Sequence, residues 1–127
     1  ASRARLLGAL PRDELRTLMG RSAIFAHPAR YEPFGLVVLE AALAGCALVL
    51  GDIDSLRELW DDAAVFAEPG DAAALRGACE RLSRDNELRG ILAGRAAERA
   101  WRYDAATMAQ AYVRLYERLS ERHTVLA

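Results

Sequence analysis

Four short apolar runs, separated by stretches with helical spacing, constrain what this chain can fold into more than any other feature. They are residues 5–10 (RLLGAL), 23–28 (AIFAHP), 46–52 (CALVLGD) and 63–69 (AAVFAEP). Strands joined through a helix pair in parallel, because the connection is too long and too regular for a hairpin. The intervening stretches carry the signs of helices. Pro11 and Arg12 precede Asp13 and Glu14 in a first turn, with Leu15, Leu18 and Ala23 near helical spacing before the second run. Pro33 opens a helix over residues 34–44, and Gly45 closes it. Leu56, Leu59 and Trp60 mark a short helix, and Asp71 stands as the N-cap of another whose Leu75, Ala78, Cys79 and Leu82 fall on one stripe. Leu88, Ile91 and Leu92 mark the next. Met108, Ala111, Tyr112, Leu115 and Leu119 mark the last, with Asp104 as its cap.

This alternation predicts an α/β class, a Rossmann-like parallel sheet with a helical C-terminal extension, as one domain over residues 1–127. Ligands of such sheets bind beyond the carboxyl ends of the strands. The composition narrows the function. A hydrophobic fraction of 53% with 28% charged residues gives a folded globular chain rather than a disordered one. The formal net charge of −1 supplies no field to gather nucleic acid or an anionic membrane. All 17 basic residues are arginine, which excludes a P-loop lysine and a Schiff-base lysine from this segment. Cys46 and Cys79 lack CxxC spacing and read as small buried hydrophobes, and His27 and His123 have no ligand set at metal spacing, so no side-chain metal site is expected. No apolar run approaches the ~18 residues of a membrane span, and no signal segment opens the chain. The expected setting is cytoplasmic.

The chemistry is concentrated between His27 and Asp52. Between Pro33 and Gly51 the only charged side chain is Glu40, in a helix otherwise apolar on every face. A buried carboxylate requires a partner. Helical side chains lean toward the N-terminus, which directs Glu40 back over the turn of Phe34, Gly35 and Leu36. That helix mouth offers backbone N–H groups and the positive end of the dipole, and Gly35 allows an anion to come close. A diphosphate on the N–H groups of Gly35 and Leu36 would leave an attached ribose near Glu40, with Glu32 on the sugar side. A solvated or salt-bridged Glu40 without a ligand role is the alternative that the residues alone leave open.

The run Glu32-Pro33-Phe34-Gly35-Leu36-Val37-Val38-Leu39-Glu40-Ala41 resembles the E-x7-E signature of retaining GT-B glycosyltransferases of the family 4, or group 1, type. AIFAHP before it, Gly45 and the strand after it, Glu58 and EPGDAAAL follow in that family's order, so the resemblance covers nearly the whole chain. It implies a nucleotide-sugar donor domain, the C-terminal part of such an enzyme. The reaction implied is transfer of a glycosyl group from a UDP- or GDP-sugar to an acceptor hydroxyl with retention at the anomeric carbon. Glu32 would support the donor sugar and the charge developing at its reacting carbon, Glu40 would hold the ribose, and Phe34, Gly35 and Leu36 would line the diphosphate. No metal or other cofactor is implied.

The resemblance also implies that an N-terminal domain, which binds a saccharide or lipid-linked acceptor and carries the catalytic histidine, and the first strands of this domain lie outside the chain. The chain alone is then expected to be inactive, and the full enzyme to be cytoplasmic or peripheral to the inner face of the membrane. With RLLGAL as the third strand of the complete sheet and AIFAHP as the fourth, the strand order 3-2-1-4-5-6 leaves the edge of AIFAHP uncovered. Residues 6–10 are then expected to redock on that edge or pair with a second copy as a homodimer. Gly8 and Ala9 would border the nucleobase. Ala29 stands where the family has a small polar residue, and Ile53-Asp54-Ser55 replaces a Gly-Gly turn, which leaves the sugar open. His27 reads as an ordinary strand-end residue, Arg57 and Glu58 as a local ion pair or cap, and Trp60, Trp101, Tyr112 and Tyr116 as packing residues. A non-catalytic nucleotide-sugar-binding or interaction module of the same fold is the rival reading. A dinucleotide-dependent oxidoreductase is disfavoured by the lack of G-x-G-x-x-G.

Overall fold

The computed structural model describes residues 3–33, 35–103 and 105–126. Its elements follow the order α1 (Arg12–Gly20), β1 (Ile24–His27), α2 (Leu36–Leu43), β2 (Ala47–Gly51), α3 (Asp54–Trp60), β3 (Ala64–Ala67), α4 (Ala72–Arg84), α5 (Asn86–Trp101) and α6 (Ala105–Leu126). The three strands form one sheet in the order β1-β2-β3. Both pairings are parallel, with Ile24 opposite Ala47 and His27 opposite Leu50, then Leu48 opposite Ala64 and Gly51 opposite Ala67. This is the α/β architecture that the alternation of runs predicts.

β2 is the centre of the core. All five of its residues are buried, which explains why it reads as a continuous apolar run rather than an alternating one. Its side chains divide between two layers. Leu48 and Leu50 join Val38 and Ala41 of α2, Leu56 and Trp60 of α3, and Met19 of α1 on one face. Ala47 and Val49 meet Ala78 and Leu82 of α4 and Leu92 of α5 on the other. α5 serves both layers, since Ala96 and Ala100 belong to the first. Each fully buried leucine in these layers contributes about 1.5–3 kcal/mol relative to exposure. α2 buries Val38, Ala41 and Ala42 on one stripe and leaves Leu43 exposed, so its apolar circumference is fully covered on one side only.

The caps agree in part with the sequence. Asp71 Oδ1 accepts from the Ala74 N–H at 2.9 Å, as an N-cap should. Asp104, the cap expected for the last helix, lies outside the described residues. α2 starts later than the sequence suggests. Gly35 is its N-cap with φ 62° and ψ 39°, a left-handed conformation that cannot belong to a right-handed helix, so Pro33 stands outside it.

The strand expected at residues 5–10 does not form. Residues 3–10 carry no strand pairing, and Leu6 is fully exposed. An extended segment needs a neighbouring strand to satisfy its N–H and C=O groups, and none pairs with it here. Redocking on β1 is likewise not seen, and β1 pairs with β2 alone. The aromatic residues also divide. Trp60 is buried, whereas Trp101, Tyr112 and Tyr116 are exposed rather than packed. Among the described residues no helix is long and apolar enough to cross a membrane.

Candidate functional site

The site forms where β1 and β2 end. β1 stops at His27, and the connection that follows brings Ala29 against Gly51 at the end of β2 before α2 begins at Leu36. The fit is close. A Cβ on Gly51, the last residue of β2, would run into the carbonyl oxygen of Ala29. Glycine is therefore required there by space rather than by φ, and the contact fixes the start of the loop that carries Glu32.

Glu32 is held from three elements. Its Oε1 accepts the Gly35 N–H at 3.0 Å, and its Oε2 lies 3.1 Å from His27 Nε2. Ser55, in the first turn of α3, donates its hydroxyl to the Glu32 carbonyl oxygen at 2.6 Å. The carboxylate thus sits at the positive end of the α2 dipole, a placement worth about 0.3–1 kcal/mol. The His27 and Glu32 side chains are both half-buried, at 25% and 23% exposure. The His27 ring stacks on Phe25, two residues earlier on the same strand, with centroids 6.0 Å apart.

Glu40 lies in the second turn of α2. Its Oε1 pairs at 3.0 Å with the guanidinium of Arg12, the first residue of α1. Arg12 is mostly exposed, which limits such a pair to about 0–1 kcal/mol. The partner that an isolated carboxylate demands is thus an arginine 28 positions away. The Gly35 N–H, the expected diphosphate donor, is taken by Glu32. Leu36 opens α2 and is partly buried, and Phe34 lies outside the described residues.

Beyond the ends of β2 and β3 a second set of charges gathers. Arg57 reaches both oxygens of Asp52, at 2.7 and 3.0 Å, and Asp61 at 2.9 Å. Its guanidinium lies 4.0 Å over the Phe66 ring. The hydrogen bonds from Arg57 hold the Asp52 carboxyl below its ordinary range, and those to Asp52 and Asp61 raise the guanidinium. Arg57 therefore pairs with Asp52 and Asp61 rather than with Glu58, because helix α3 aims it back at the strand end. The Arg30 guanidinium lies against Gly70, where a Cβ would collide with it. Among the described residues no group of three or more His, Cys, Asp or Glu side chains is placed to hold a metal ion.

Three contributors to this site escape sequence reasoning: His27, Ser55 and Arg12. Ser55 in place of a glycine turn was legible as a departure, though not as a partner of Glu32. Nothing local marked Arg12. Gly8 and Ala9 stand in the exposed segment ahead of α1.

The family model described as "Glycosyl transferases group 1" matches residues 2–99. The chain is similar to O-antigen chain mannosyltransferase B of Escherichia coli, with 34% identity over 91 residues, 72% of this chain and 24% of that protein. It is similar also to a phosphatidyl-myo-inositol mannosyltransferase of Mycolicibacterium smegmatis, with 35% identity over 91 residues, 70% of this chain and 24% of that protein. Among solved structures, sucrose-phosphate synthase from Thermosynechococcus elongatus superposes with a TM-score of 0.70 and 26% identity, over 87% of this chain and 30% of that one. The chain thus spans about a quarter of the length of these curated relatives.

Proposed function

The chain belongs to the group 1 glycosyl transferases, and on that premise we propose that it is the donor-binding part of a retaining enzyme that moves a glycosyl group from a nucleoside diphosphate sugar to an acceptor hydroxyl. Glu32 stands beside the donor sugar, where its charge supports the hydroxyls and the positive charge that develops at the reacting carbon. Glu40 accepts from the ribose hydroxyls. The first turn of α2, from Gly35 and Leu36 onward, receives the diphosphate on its N–H groups and dipole, with Phe34 beside it. The acceptor is a saccharide or a lipid-linked saccharide bound by another part of the polypeptide. No metal is required by this division of roles.

The observation that carries the reading is the placement of the two glutamates of the E-x7-E run, one at the mouth of α2 and one on the helix itself. Retaining glycosidases also use two carboxylates, but theirs face each other across one bond, whereas Glu32 and Glu40 are assigned to different parts of one donor. Both relatives named above are mannosyltransferases, which makes a nucleoside diphosphate mannose the first donor to test.

Calorimetry of the purified chain with UDP, GDP and their mannose derivatives is the test. Weak binding of at least one of them, without transfer, is expected. No heat with any of them overturns the donor-site reading, and steady transfer by this chain alone overturns the assignment of the acceptor to another part of the polypeptide.

A further inference from the structure

We infer that His27 is the positioning residue of Glu32. This rests on the reading of Glu32 as the carboxylate beside the donor sugar, and it assigns to the strand-end histidine a role that composition and spacing do not reveal. An ionised carboxylate has only acceptors to offer. His27 Nε2, 3.1 Å from Glu32 Oε2, is therefore the donor of this contact and carries a proton.

Two of the groups that meet the carboxylate come from different elements. Gly35 N–H holds Oε1 and His27 Nε2 holds Oε2, so the carboxylate is fixed in rotation as well as in place. The two anchors differ in what a donor does to them. A diphosphate arriving at the α2 N-terminus competes with Glu32 for the Gly35 N–H, since both are anions seeking the same backbone group. The His27 contact comes from β1, at the end of the sheet, and is not part of that contest. It keeps Glu32 at the sugar when the phosphate takes the helix cap. The ring is itself held. It stacks on Phe25 and belongs to a strand paired along its length with the fully buried β2. A rigid strand thus transmits its position to a loop residue, the arrangement that a preorganised site requires. His27 touches no reacting atom here. It acts through Glu32.

Steady-state transfer kinetics of the full polypeptide test this with His27→Phe, which keeps the ring stack and removes the donor, and His27→Gln, which returns an N–H at similar reach. We expect His27→Phe to lower kcat about 10- to 100-fold with the donor KM changed less than about threefold, and His27→Gln to recover most of that loss. Combined with Glu32→Gln, His27→Phe should add almost nothing, because both substitutions remove one function. A native kcat for His27→Phe, a His27→Gln variant as slow as His27→Phe, or losses that multiply in the double variant each overturn the assignment. If Glu32→Gln itself leaves kcat and KM native, the reading of Glu32 fails and this inference with it; a crippled Glu32→Gln beside a native His27→Phe sinks His27 alone. Nitrogen-15 spectra of the unsubstituted chain give a readout independent of variant folding. Nε2 should be protonated, and a bare Nε2 with the proton on Nδ1 overturns the inference.

Discussion

Alanine at Gly51 links the packing of the sheet to the chemistry of the site through a single methyl group. The backbone there needs no positive φ, so alanine is conformationally acceptable, and what stands against it is the Ala29 carbonyl oxygen. That oxygen is backbone and cannot rotate away. Relief requires the loop to move off the end of β2 by about 1 Å, twice the roughly 0.5 Å within which a preorganised site must be held. Overpacking of this kind costs about 1–3 kcal/mol, and a misplacement of about 1 Å costs about 100-fold in rate. Urea unfolding of the chain reads the first number, amide resonances of Ala29, Arg30, Tyr31, Glu32 and Gly35 report the displacement, and transfer kinetics of the full polypeptide read the second. Gly77→Ala is the control, since the exposed Gly77 in α4 has nothing within 4 Å of the new Cβ and should gain about 0.5–1 kcal/mol from helix propensity. A Gly51→Ala chain within about 0.5 kcal/mol of native, with the loop resonances unmoved, refutes the reasoning.

In the full polypeptide, Glu40→Ala should weaken nucleotide binding while Glu32→Ala mainly lowers kcat, because one carboxylate holds the ribose and the other the reacting sugar; donor kinetics unchanged in both variants sink the assignment. Gly35→Ala should destabilise by about 1–2 kcal/mol, since φ is 62° and the obstacle is conformation, the new Cβ meeting Leu56 Cδ2 at an ordinary 3.4 Å; urea midpoints check it, and a neutral result excludes the left-handed cap. Asp52 has a folded pKa depressed below 3.8 by Arg57. Its contribution is present above the unfolded value and is lost as the pH falls through the lower folded value. The stability difference between the native chain and Asp52→Asn should accordingly shrink below about pH 4, and a difference that grows on acidification contradicts the pairing.

Much of the fold was legible from the residues because the signals involved are local. The run CALVLGD, short and apolar without alternation, reads as a strand, and β2 is that strand, buried at all five residues. The helix after Glu32 is apolar on all sides apart from Glu40, and α2 does form there, although only its Val38, Ala41 and Ala42 stripe is buried and Leu43 is exposed. The late start of α2 was not legible, because a glycine's φ follows from the loop that precedes it. The missing strand at residues 5–10 has the same kind of cause. Its side chains suit a sheet, but pairing is a property of two segments, and a propensity belongs to one.

The site divides along the same line. The spacing of Glu32 and Glu40 around Gly35, with a helix beginning between them, is written in the sequence, because eight positions of backbone geometry carry one glutamate to the helix mouth and the other onto its second turn. The tertiary structure alone decided which groups meet them: Arg12 on Glu40 from 28 positions away and Ser55 on the Glu32 carbonyl from 23. It also turned Arg57 toward Asp52 and Asp61 and away from Glu58. Periodicity fixes which face of an element is apolar, since that depends on neighbours within a turn or two. The partner of a polar side chain depends on how separate elements dock, and docking is set by the packing of β2 against helices on both sides, which no single stretch of the chain contains.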